Sequence, residues 1–171
     1  MKENWFLKII DKDRTIRISK KLENEIKELS FFYIIQSPSQ SGPKDSLKFI
    51  NYGLKYSCHF SEFKQRMKKN INISDSNYIY ENKGKFKDLS DIIIKEYNSR
   101  NKPVIIFSKG EYGEIDTLFI RIRNAIAHKN FLKKNDYYVL WNEKNDDINC
   151  FFKLKFDHLI TIFQTLKTFK D

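Results

Sequence analysis

Apolar residues recur every three to four positions through much of this chain, the spacing of helices packed along one face. Leu22, Ile26, Leu29, Phe32 and Tyr33 predict a helix over residues 20–35, which Pro38, Gly42 and Pro43 then stop. Leu47, Ile50, Leu54, Cys58 and Phe63 predict a second over residues 44–69, disturbed at Gly53. Residues 71–85 are polar and aperiodic and read as a loop. A third helix follows over residues 87–98, with Leu89, Ile92, Ile93 and Tyr97 inward. The clearest stripe is Ile115, Leu118, Phe119, Ile122, Ala125 and Ile126, which puts residues 113–127 in a helix. Leu159, Ile160, Phe163 and Leu166 give a last helix over residues 156–169.

Elsewhere the pattern shortens. Tyr137-Tyr138-Val139-Leu140-Trp141 and Cys150-Phe151-Phe152 flank a turn-rich stretch and predict a small β-hairpin. Residues 103–109 read as extended and residues 110–113 as a turn. The start admits two readings. Residues 5–10 and 15–18 form either two short strands or an irregular lead-in to the first long helix. The expected fold class is mainly α, an antiparallel helical bundle with a small β-hairpin before the C-terminal helix, in a single domain over residues 1–171.

Composition narrows the function classes. Lys and Arg number 32 against 22 Asp and Glu, a formal charge of +10 that favours RNA or another acidic partner. With 15 Phe, 9 Tyr and 40% hydrophobic residues, the chain has enough apolar mass to fold. Two cysteines, Cys58 and Cys150, stand in no metal-binding spacing, and a reducing compartment is the simpler reading. Neither a signal-peptide pattern nor a membrane-length apolar run is seen, so a cytoplasmic location is expected.

Chemistry concentrates at the end of the clearest helix. At about 100° per residue, Arg121, Asn124 and His128 share the face opposite the apolar stripe, with Arg123 at its edge. Histidine suits proton transfer near neutral pH, and arginine offers forked donors to phosphate oxygens. Those are the groups needed to cleave RNA through its own 2′-hydroxyl without a metal or other cofactor. Arg123 and His128 are the expected catalytic pair, with Asn124 and Arg121 in support. Lys129, Lys133 and Lys134 follow directly and are candidate RNA contacts. Two proton transfers are easiest with two histidines, so a homodimer with a composite site is expected. The charge run Lys64, Arg66, Lys68 and Lys69 reads as a solvated face, with guiding RNA toward a cleft as its alternative use. His59 reads as a partly exposed helix residue, and Asp157-His158 as capping or surface chemistry at the start of the last helix.

These residues resemble the HEPN superfamily (higher eukaryote and prokaryote nucleotide binding). Its active members carry an arginine, often with a polar neighbour, four to six positions before a histidine. Arg123, Asn124 and His128 fit that form within residues 115–131. The resemblance implies an all-helical domain, a dimer around the motif, and metal-independent RNA cleavage in toxin–antitoxin or phage-defence systems. It assigns phosphate binding to Arg123 and acid–base work to His128. Some members carry a tyrosine two positions after the histidine; this chain has Asn130 there. A catalytically silent RNA-binding or protein-interaction module is the alternative.

Overall fold

The computed structural model describes residues 5–11, 19–38, 48–99, 102–144 and 147–170. Its centre is a five-stranded mixed sheet in the order β1-β2-β5-β4-β3, not a hairpin appended to a bundle. The strands are β1 (Tyr78–Glu81), β2 (Val104–Ser108), β3 (Phe131–Lys134), β4 (Tyr137–Lys144) and β5 (Asp147–Lys155). β1 and β2 run parallel, and every other neighbouring pair is antiparallel. The mainly-α bundle expectation is therefore wrong, and this is an α/β fold. The physical reason lies in β2 and β5. β2 is buried on both faces, so Val104-Ile105-Ile106-Phe107 forms a continuous apolar run without the alternation that marks a half-exposed strand.

Helices cover both sides of the sheet. On one face lie α2 (Lys20–Ser30), its π-helical continuation Phe31–Gln36, α3 (Ser57–Asn70), α6 (Glu114–Ala127) and α7 (Phe156–Lys167). They close a core of Leu29, Tyr33, Phe63, Met67, Phe119, Ile122, Leu159 and Phe163 over Ile105, Phe107, Leu140 and Phe152. On the other face, α1 (Trp5–Asp11), α4 (Lys83–Phe86) and α5 (Ser90–Asn98) bring Phe6, Ile10, Phe86, Ile93 and Tyr97 against Val104, Ile106, Val139, Trp141 and Phe151. Successive residues of β2 and β4 feed opposite cores, as a period of two requires.

Several boundaries differ from the sequence pattern. Residues 5–10 are helical rather than extended, and residues 15–18 lie outside the described set. Of the helix expected over 44–69, residues 44–47 lie outside the described set, and among the described residues only the part from Ser57 is α-helical. Phe49–Tyr52 forms a 3-10 turn, and Gly53 ends it with φ 86°, a conformation that costs glycine little. The expected loop over 71–85 contains β1 and the start of α4. β3 was not anticipated, and both hairpin strands are longer than their apolar centres.

Lys153 explains part of that length. It is 3% exposed in the middle of β5, where a charge normally ends a strand pattern. Its Nζ donates to the Glu96 and Ser99 carbonyls at the end of α5 and to Ser99 Oγ at 2.6 Å. A cation is well placed against helix C-terminal carbonyls.

Candidate active site

α6 is positioned by its apolar stripe. Phe119 is fully buried among Tyr33, Phe49 and Phe63, with ring centroids 5.7–6.1 Å away. Truncating such an aromatic typically costs about 3–5 kcal/mol, so the helix has little freedom to rotate. Glu114 and Asp116 occupy the first turn, where negative charge suits the helix dipole. The preceding loop lies flush on that turn because Gly110 has no side chain. A Cβ there would meet Thr117 Oγ1 at 2.7 Å.

The other end closes with a Schellman motif. Asn130 N–H donates to Ala125 O at 2.8 Å and Lys129 N–H to Ile126 O at 3.1 Å. Lys129 sits at the left-handed position with φ 58°, where glycine is usual. The Asn130 carbonyl then accepts from Trp141 N–H at 3.0 Å, fixing the helix end to β4. Asn142 adds a second tether through Nδ2 to the Arg121 carbonyl at 2.7 Å.

These ties hold an open cleft of about 380 Å³ lined by Arg121, Asn124, His128, Asn130, Asn142, Glu143 and Asn149. Three of the anticipated polar residues, Arg121, Asn124 and His128, therefore converge. Arg123 does not line this cleft. It is half-buried on the neighbouring flank of α6, about 100° round from Asn124. The cation inside the cleft is Arg121. Burial works to lower its pKa, while Cys150 and Tyr80 oppose that. Arg121 Nε is buried and has no hydrogen-bond partner within the protein. Burial pushes the adjacent Cys150 thiol up to about 12, against Arg121 and hydrogen bonds to Asn142.

The expected RNA-contact lysines separate. Lys129 is exposed beside His128. Lys133 turns to the larger core's side, 2.9 Å from Glu25 and over the Tyr138 ring. There burial tends to raise the Glu25 pKa, but the Tyr138 hydroxyl and Lys133 outweigh it and the net shift is down. Lys134 alternates to the opposite face, 3.8 Å over the Tyr97 ring. The run on α3 is largely engaged with acids: Lys64 with Glu114 at 2.6 Å, Arg66 with Glu62 at 2.6 Å and Lys68 with Asp75. His59 Nδ1 accepts from Lys55 N–H at 3.2 Å. His158 Nδ1 accepts from Lys155 N–H at 3.4 Å, capping α7.

Asn142, Glu143 and Asn149 were missed because they looked like turn residues of a hairpin. Their common signal is a run of short polar side chains at the ends of two long strands, legible only once the strands are paired. Cys58 and Cys150 are both free thiols. Among the described residues, no group of three His, Cys, Asp or Glu side chains is arranged to hold a metal, and no helix is long and apolar enough to cross a membrane. No family model, curated protein or solved structure matches this chain.

Proposed function

We propose that this chain is a metal-independent endoribonuclease acting at the cleft that holds His128. The observation that supports this reading is the convergence of an imidazole, a guanidinium and several amides in one open cleft. His128 removes the proton from a 2′-hydroxyl or delivers one to the departing 5′-oxygen. Arg121 donates to the phosphate oxygens as negative charge gathers on them, and Asn124 and Asn142 orient the phosphate. Glu143 brings a second proton-carrying group to the same cleft. The products are a 2′,3′-cyclic phosphate and a 5′-hydroxyl.

Arg123 is assigned to a second copy. A twofold dimer across the outer flank of α6 carries each chain's Arg123 toward its partner's cleft. The biological setting carried by the resemblance is a cytoplasmic toxin or a phage-defence effector.

The test is cleavage of a mixed RNA pool in EDTA, with end-group analysis of the products. Wild type should leave cyclic-phosphate ends, and His128→Ala should lose at least about a hundredfold in rate. Intact RNA with wild type and folded protein would refute the proposal and leave a binding module.

A further inference from the structure

A second cleft, of about 530 Å³, opens at the carboxyl ends of the parallel strands β1 and β2. Crevices at such strand ends are habitual ligand sites in α/β proteins, and the volume falls within the small-ligand range of roughly 300–1,000 Å³. The HEPN resemblance assigns nothing here, since the cleft is built on a sheet.

Its polar groups are incomplete within the protein. Ser108 lines the cleft, is 1% exposed, and its hydroxyl has no hydrogen-bond partner. Arg121 Nε and Asn149 Oδ1, from α6 and β5, are buried and also unpartnered. Buried polar atoms are normally paired, and three deficits in one cleft point to a ligand that pairs them. Lys83 and Lys87 stand at the lip, and Phe86 walls one side. Lys87 meets Asp147 at 2.7 Å, but both side chains are more than 60% exposed, so this pair parts easily.

The three atoms discriminate among ligands. Inorganic phosphate supplies acceptors for Arg121 and Ser108 and one hydroxyl for the Asn149 carbonyl oxygen, but it is too small to reach all three across about 530 Å³ and leaves the Phe86 wall bare. A purely apolar ligand satisfies none of them. A nucleotide supplies anionic oxygens, N–H and O–H donors, and an apolar base face. We propose that this strand-end cleft binds one nucleotide unit, with its phosphate toward Arg121 and the two lysines and a base or ribose donor on Asn149. Arg121 and Asn149 also line the His128 cleft, so the two sites are contiguous. A free nucleotide and one residue of an RNA share this chemistry. In the RNA form the inference rests on the ribonuclease proposal and places the nucleotide beside the attacked phosphate.

The experiment is calorimetric titration of the full chain with the four nucleoside 5′-monophosphates, a short 2′-O-methyl RNA that cannot be cleaved, and inorganic phosphate. Nucleotide or RNA should bind at least about tenfold more tightly than phosphate, and Ser108→Ala and Asn149→Ala should each weaken it about tenfold. Lys83→Ala, at an exposed position, keeps the test valid should a buried variant fail to fold. It should weaken binding severalfold and flatten its salt dependence. Tight binding of the monophosphates identifies a free-nucleotide site, and binding of the RNA alone identifies a substrate subsite. Phosphate binding as tightly as nucleotide, no binding by either, or folded variants within twofold of wild type would each overturn the inference. Loss of binding in Asn149→Ala alongside a wild type that cleaves no RNA keeps the nucleotide site and removes the ribonuclease. Cleaving protein with unaltered variants does the reverse.

Discussion

Replacing Lys129 with glycine should stabilise this protein, although Lys129 stands one residue from the histidine assigned to catalysis. Lys129 has φ 58°. Among the described residues, the other non-glycine positions with positive φ are Asn72 and Asn135, a residue type that tolerates the region. A lysine Cβ in this conformation costs about 1–2 kcal/mol. Glycine removes that strain but has more unfolded-state freedom to lose, a penalty of about 0.5–1 kcal/mol. The net gain is about 0.5–1 kcal/mol, or roughly 1–4 °C in Tm for a chain of this size. Lys129→Val should move the other way by about 1 kcal/mol or more, because a β-branched residue is least tolerated there. Urea denaturation of the three proteins at constant m-value reads the difference. Glycine and valine variants of equal midpoint would show that the Schellman closure of α6 is not as described.

Other outcomes are equally specific. Mixing Arg123→Ala and His128→Ala chains, each inactive alone, should restore about a quarter of wild-type cleavage, since half the dimers hold one intact site of two; no recovery after subunit exchange would put both residues in one chain's site. Burial raises the Asp116 carboxyl from 3.8 to about 6, so the folded state holds a proton the unfolded chain has released, and stability falls as pH rises through that window. Asp116→Asn should remove this slope and gain in Tm over wild type between pH 5 and pH 7.5; parallel pH profiles would contradict it. Under native conditions at pH 8, iodoacetamide should modify exposed Cys58 and spare Cys150, buried with its thiol near 12. Mass spectrometry should find one adduct in native protein and two after denaturation.

The helices with long stripes were readable because packing on one face imposes a 3.6-residue period. Residues 115–126 show it without interruption, and α6 follows almost to the residue. The sheet was hidden for three separate reasons. β2 reads as extended over residues 103–109, but it is sandwiched between helical layers, and its run without alternation marks no place in a larger sheet. β1 is only four residues long within a polar stretch. β3 contains Lys133 and Lys134, which look like surface charges until Tyr138 and Tyr97 are seen beneath them. The clustering of Arg121, Asn124 and His128 was legible because it is a property of one helix. Ser108, Asn142 and Asn149 reach the two clefts from three strands, and no local pattern reports a meeting made by long-range pairing.

β5 has a consequence for synthesis. Of the five described strands it is made last, yet it sits between β2 and β4 at the centre of the sheet. Until residues 147–155 emerge, β2 lacks its antiparallel neighbour, β4 has only β3, and Asn149 is missing from both clefts. Nascent chains therefore cannot build the sheet in the order its strands are made, and the pairing of β2, across more than forty residues, must wait until β5 has emerged. If the chain is a ribonuclease, neither cleft is complete until β5 has paired, and a product cut short before Asp147 is inert.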